Sequence, residues 1–327
     1  MKPHKRDPLL RSVVVVAAFW LLPLISGFAQ TQDAPQPQPA PKMTQPKSPA
    51  SPPPTQPAQP PVPAAPEKPG KIIPADAERH FHEGVIFEHD GNSENAIAEY
   101  KEAIKSYPDY FEAHYNLGRV YLDRHGYTEA IAEFKIAVQL KPEDANAHNN
   151  LGLALKHNRD LNGAIAEYKD AVRLNPKLAS AQNNLANVLY AKRDFTGAIE
   201  HYRAALEIQP KSAETHMNLG SVLDDAGRSD EAIAEYKAAI QLEPKNASAH
   251  YNLSIVYQKK KDMPTAITEL QTAAKLAPDW PTPHLMLTNL LKDSDPKAAL
   301  DQCVIADGLT HDAKLHDQCV ELQKKAR

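Results

Sequence analysis

The chain has 327 residues, a formal net charge of −4 and only two cysteines. The charge is unevenly spread: residues 71–327 hold 30 Lys/Arg against 38 Asp/Glu, a mildly acidic body without a basic stripe, which argues against nucleic acid as the main partner. Gly is scarce at 12 and Pro abundant at 29, with 15 of the prolines between Pro35 and Pro69.

The N-terminus reads as an export signal over residues 1–29. Lys2, Lys5, Arg6 and Arg11 precede an apolar run from Val13 to Phe28, broken by Pro23. Gly27-Phe28-Ala29 sets small residues at the −3 and −1 places of a cleavage site. The other reading is an uncleaved anchor, the only membrane association the sequence offers, although the run is short for the roughly 17–25 residues of a span. Either way the body is expected outside the cytoplasm, periplasmic or secreted.

Residues 30–72 are Pro, Gln, Ala, Ser and Lys with almost no large apolar side chain. Such a segment cannot bury enough surface to offset its ordering entropy, so the expectation is a disordered linker. Its Pro content favours extended polyproline II, about 3.1 Å per residue, for a reach on the order of 100 Å. It is a spacer, or else segments such as Pro35-Gln36-Pro37 and Pro52-Pro53-Pro54 are ligands for an aromatic groove.

From residue 73 the chain has a 34-residue period. Pro108, Pro142, Pro176, Pro210, Pro244 and Pro278 keep the step. So do the rows that begin at Ala96 and at Ala103. The units are 77–110, 111–144, 145–178, 179–212, 213–246 and 247–280, with a degenerate seventh at 281–310. A strict repeat of this length means a stack of small units, each needing its neighbours to bury its apolar faces. Each unit carries two amphipathic stretches of helical period. In the second unit these are Ala113–Leu122 and Thr128–Leu140, and Pro142 then blocks further helix. Thr128, Asn162, Thr196 and Asp230 are expected to cap the second helices. Small residues (Gly84, Gly118, Gly152, Ala186, Gly220, Ser254) hold one place on the first helix, and Tyr100, Phe134, Tyr168, Tyr202 and Tyr236 hold one on the second.

These places in register over six units resemble the tetratricopeptide repeat, whose period and signature the array matches over residues 77–280. The resemblance implies an all-α fold: a right-handed superhelical solenoid of six full helix-turn-helix repeats, a degenerate seventh, and a C-terminal capping helix over 311–327. The family's large aromatic at the fourth place is here His80, His114, His148, Gln182, His216, His250 and His284. Equivalent residues of successive units lie roughly 10 Å apart, too far to share a metal ion, so packing between the two helices is the expectation. The array is most similar to that of O-linked N-acetylglucosamine transferases. Only 47 residues follow the sixth unit, so the catalytic part and its activity are not carried over.

In the last unit Ala299, Cys303 and Ala306 follow the second-helix places. Cys303 and Cys319 each stand eight residues from His311, the middle of the expected turn, which sets them at the same height of a helical hairpin. They are a disulfide in an oxidising compartment or two small buried residues in contact.

In the family the first helices line the concave side. Carried over, that face holds a row of Asn116, Asn150, Asn184, Asn218 and Asn252, flanked by Tyr115, Asn149, Asn183 and Tyr251, with Arg119, Asn187 and Ser221 one turn further on. A primary amide carries a donor and an acceptor and can pair with a peptide's N–H and C=O together. The row resembles the asparagine ladder of the transferase arrays and implies an extended peptide as ligand. The competing reading is that the amides serve solubility and local hydrogen bonding. No cofactor, metal site or catalytic motif is read from the sequence, and Asp224-Asp225 are expected to be solvated charge. The functional expectation is a non-enzymatic scaffold that binds a protein or peptide partner. The alternative is an accessory subunit of envelope or pilus assembly that docks a folded partner through its convex face or ends.

Overall fold

The computed structural model describes residues 72–326. The signal or anchor segment and, apart from Ile72, the Pro-rich linker lie outside the described residues. Those residues form fifteen α-helices and no strand. Helices α1 (Ala75–His89) and α2 (Ser93–Ser106) make the first hairpin, followed by α3 (Phe111–Asp123) with α4 (Tyr127–Leu140) and α5 (Ala145–His157) with α6 (Leu161–Leu174). Then come α7 (Ala179–Ala191) with α8 (Phe195–Ile208), α9 (Ala213–Asp225) with α10 (Ser229–Leu242), and α11 (Ala247–Lys259) with α12 (Met263–Leu276). The array closes on α13 (Pro281–Leu291), α14 (Pro296–Thr310) and α15 (Ala313–Lys325).

Each helix packs on the next in sequence. Successive first helices also meet one another (α3 on α5, α5 on α7, α7 on α9, α9 on α11), whereas no two successive second helices meet to that extent. A stack whose members approach more closely on one side curves toward that side. The first helices therefore line the inner face.

The close approach has a steric cause. The two alanine rows of the second helices are buried. A Cβ added at Gly84, Gly118, Gly152 or Gly220 would stand 2.7, 2.8, 2.8 and 2.9 Å from the rings of Tyr100, Phe134, Tyr168 and Tyr236. Glycine thus lets a whole aromatic ring lie against the backbone of the first helix. The sixth repeat makes the opposite choice at the same two places, Ser254 with the smaller Leu270.

The turn inside each repeat reverses the chain through one left-handed residue: Gly91, His125, Arg159, Arg193, Gly227 and Lys261, with φ between 63° and 76°. The caps of the second helices differ from expectation. Thr128, Asn162, Thr196 and Asp230 already lie in the first helical turn. The side chains that accept first-turn N–H groups are two residues earlier: Asn92, Asp160, Asp194 and Asp262. The residue before the helix has non-helical dihedrals, φ from −89° to −81° and ψ from 74° to 78°, that aim its side-chain oxygen at the N–H three places on, which a residue inside the turn cannot do. Gly126 and Arg228 hold the corresponding places and make no such bond.

A recurrent clasp ties the two helices of each repeat to the preceding turn. In the second repeat His114 Nδ1 lies 2.6 Å from Glu133 Oε2, and its Nε2 lies 3.0 Å from the Pro108 carbonyl. The same pair of contacts joins His148 to Glu167 and Pro142, His216 to Glu235 and Pro210, and His250 to Glu269 and Pro244. His80 meets Glu99, and His284 meets Gln302 and Pro278. In the fourth repeat Gln182 donates to the Pro176 carbonyl and its Oε1 lies 2.8 Å from His201 Nδ1. The histidines are thus packing and hydrogen-bonding groups between helices.

At the C-terminal end α14 stops at His311, in the left-handed conformation, and Asp312 caps α15 through the N–H groups of Lys314 and Leu315. Cys303 and Cys319 are joined, with Cα atoms 5.6 Å apart. With Leu287, Leu291, Leu315 and Leu322 they form the core that closes the stack.

Candidate functional site

The inner face is built from three places on each first helix, at spacings of three and four residues that keep them on one side. The asparagine row is half-buried throughout. Its members differ in how far neighbouring repeats already occupy them. Asn150 Nδ2 donates to the Tyr115 hydroxyl at 2.9 Å, Asn149 Nδ2 to Asn150 Oδ1 at 3.4 Å, and Asn184 Nδ2 to Asn149 Oδ1 at 3.0 Å. The chain of bonds Tyr115–Asn150–Asn149–Asn184 therefore stitches the second, third and fourth repeats together. Asn116 donates to Tyr100 at 3.4 Å and Asn183 to Thr215 at 2.8 Å, and Asn187 accepts from Tyr202 at 2.5 Å. Among the described residues, the side chains of Asn218 and Asn252 have no hydrogen-bond partner. Tyr251 packs against Trp280 with ring centroids 4.8 Å apart, and Tyr115 lies over Phe111 at 5.8 Å. Burial pushes the phenols of Tyr115 and Tyr251 up from their ordinary value.

The arrangement divides the ladder. In the second to fourth repeats the amides spend much of their capacity on one another and on tyrosines. In the fifth and sixth they remain free to pair with a main chain laid along the face.

A second row, one turn beyond Arg119, Asn187 and Ser221, was not singled out in the sequence. It runs Glu88, Leu122, Lys156, Tyr190, Asp224 and Gln258. Glu88 accepts from Tyr100 at 2.8 Å and pairs with Arg119 at 3.2 Å. Tyr190 donates to Asp225 at 2.7 Å, and Lys259 pairs with Asp224 at 2.7 Å. Asp224 is not the solvated charge expected: its side chain is 11% exposed, and Oδ1 is buried without a hydrogen-bond partner among the described residues, as is Gln258 Nε2. The expectation failed because helical spacing turns Asp224 toward the next repeat, a direction that only the stacking fixes. The signal available in the sequence was variation in chemical type: the row passes from acid to leucine, lysine, tyrosine, acid and amide at successive steps.

His80, Glu83 and Glu99 bring three ligand atoms within 4.8 Å of one another. The Arg79 guanidinium lies 3.0 Å from His80 Nε2 and 3.2 Å from Glu83, so a cation already serves this cluster. Among the described residues no helix is long and apolar enough to cross a membrane.

Sequence profiles of the tetratricopeptide repeat match residues 81–145, 115–179 and 150–213, with further matches at 189–238, 222–261 and 247–279. Together they run without a gap from 81 to 279. No curated protein sequence matches the chain. Among solved structures, that of YrrB, described as a TPR protein with an unusual peptide-binding site, is 21% identical. Its alignment covers 59% of this chain and 97% of YrrB with a TM-score of 0.52. Pseudomonas aeruginosa PilF is 18% identical over 67% of this chain and 98% of its own, with a TM-score of 0.56. MamA is 28% identical over 53% of this chain and 94% of its own, with a TM-score of 0.49. These likenesses are of fold.

Proposed function

The chain belongs to the tetratricopeptide repeat family, and on that premise we propose that it is a non-catalytic interaction scaffold holding an extended segment of a partner protein along the inner face of its first helices. The observation that carries this reading is the amide row, with Asn218 and Asn252 unpaired on a half-buried surface. The polar atoms of Asn218 and Asn252 are not shut off from solvent, so they stay available to a ligand. A peptide main chain offers the N–H and C=O groups they match. The similarity of the row to the asparagine ladder of the transferase arrays supports the same ligand class. The basic and apolar N-terminal sequence and the Cys303–Cys319 pair support work in an exported, oxidising setting, periplasmic or secreted, with any membrane contact made by an uncleaved N-terminus.

A second reading rests on the ends of the array. Ile86 on α1 and Val304 on α14 are each 58% exposed, apolar side chains suited to docking a folded partner, as an accessory subunit of envelope or pilus assembly requires.

The test is capture from an envelope extract by the parent chain and by a variant of matched helicity with Asn116, Asn150, Asn184, Asn218 and Asn252 changed to Ala. A partner kept by the parent and lost by the variant places the ligand on the row. The same partner on both moves the site to the ends or the convex face.

A further inference from the structure

Among the described residues Gly308 is the one glycine with neither a left-handed φ nor any atom within 4 Å of an added Cβ. It stands inside α14, in the last turn, three places before the left-handed His311. A glycine within a helix weakens it, and the ring contacts that account for Gly84, Gly118, Gly152 and Gly220 are absent here. Its remaining use is to let something from outside the chain approach the backbone closely.

The surface around it is built to match. Lys297, Asp301, Val304 and Gly308 follow at spacings of four, three and four residues, so they share the outer side of α14, opposite the buried Ala299, Cys303 and Ala306. Val304, with Ile305 and Leu309 flanking it, is 58% exposed, and its neighbours are 42% and 38% exposed. Earlier repeats do otherwise. At the place of Val304 they hold Lys101, Lys135, Lys169, Arg203, Lys237 and Gln271, and at the place of Gly308 a lysine, arginine, glutamate or glutamine. A cation on each of two facing surfaces keeps them apart, and the last repeat has shed it.

We propose that this face of α14 is a self-association site, where two copies of the chain pair antiparallel about a twofold axis level with Val304 and Ile305. In that register each Val304 meets its own copy, as does each Ile305. Asp301 comes level with Gly308 of the second copy, whose missing side chain lets the helices close and leaves room for the carboxylate. Lys297 comes level with Asp312 of the second copy, both of them exposed, and the symmetry supplies that pair of opposite charges twice. This match of apolar centre and charged rim to itself is what selects a second copy over an unrelated apolar helix. The patch is small against the roughly 800 Å² per partner of a stable complex, so the pairing is weak, with a Kd of about 100 µM. It lies on a second helix and is independent of the groove on the first helices.

The test is sedimentation equilibrium of the whole chain up to about 500 µM, where a dimer of that Kd predominates. Val304→Lys, which restores the cation of the earlier repeats, is expected to weaken the dimer tenfold or more at unchanged helicity. Lys297→Glu sets like charges at both rims and weakens it severalfold, by more at low salt than at high salt. Gly308→Ala separates the two roles of the glycine: the melting temperature of the dilute monomer rises, because alanine favours the helix, while the dimer weakens severalfold. The variant with the five asparagines of the inner row changed to Ala dimerises as the parent does. A chain that stays monomeric at the highest concentration overturns the pairing, whatever folded partner the same face captures. So does a dimer that Val304→Lys leaves intact, one that Gly308→Ala tightens, or one lost with the asparagine row.

Discussion

His201 on α8 and Gln182 on α7 share a 2.8 Å contact that reproduces, with the imidazole moved to the other helix, the 2.7 Å contact of His148 and Glu167 one repeat earlier. In both repeats the first-helix residue also reaches a proline carbonyl, Pro176 or Pro142. What the repeat keeps is a bridge from turn to first helix to second helix.

Glu167→Ala therefore leaves a His148 ring nitrogen without its acceptor at a place 7% exposed, at a cost of about 1–3 kcal/mol. The double exchange His148→Gln with Glu167→His restores the fourth repeat's version of the bridge and recovers most of that loss. Hydrogen exchange of α5 and α6 reads both effects locally, which suits a stack that need not unfold in one step. Equal losses in the single and double variants would show that the bridge is not transferable.

The left-handed turn residues offer stabilising changes. Arg159 adopts φ 67° and Arg193 φ 63°, a region that costs a residue with a Cβ on the order of 1 kcal/mol. Glycine removes that cost but adds freedom to the unfolded chain, so Arg159→Gly is expected to gain roughly half a kcal/mol. Gly227→Ala runs the other way: no atom lies within 4 Å of the added Cβ, so its loss of about 1 kcal/mol reports backbone strain alone. Urea midpoints of the two variants move in opposite directions.

Reduction of Cys303–Cys319 is expected to loosen one end only. The bond closes a loop of sequence separation 16, for which loop-closure entropy gives about 3 kcal/mol. Dithiothreitol should speed amide exchange in α14 and α15 and leave α3 to α8 unchanged, because repeats feel only their neighbours. Uniform loss of protection along the array would contradict this.

Two histidines give stability opposite pH slopes. Burial pushes His201 below its ordinary value, so between the two values the unfolded chain holds a proton that the folded chain refuses. Its contribution is present above about pH 6.5 and lost as pH falls below that. His316 is raised by its hydrogen bond to Asp307, so its contribution is present below about pH 6.5 and lost as pH rises through the native value. Proton titration of the ring signals should place His201 below a free histidine and His316 above it.

The helix pairs and the alanine and glycine rows were legible because each recurs and each has a purely steric meaning. The partners of the histidines were missed, although Glu99, Glu133, Glu167, Glu235 and Glu269 keep the same step. A glutamate on an amphipathic helix reads as solvent-facing, and only the angle between the two helices turns it inward. The amide row was legible as a row. Its division into a bonded half and an open half was not, since the bond from Asn184 to Asn149 depends on the rotation between units.

The histidine bridge also has a consequence for how such a protein changes length. Each bridge spans one junction and closes on residues no further than one unit away, from Pro108 through His114 to Glu133. A duplication or deletion of 34 residues therefore carries a complete set of donors and acceptors with it and strands none at the new boundary. The inner face can be lengthened or shortened by whole steps without redesign. The last hairpin, α14 with α15, is exempt: it carries no such bridge and its two helices are joined instead by Cys303–Cys319, so it suits the end of an array and not the middle of one.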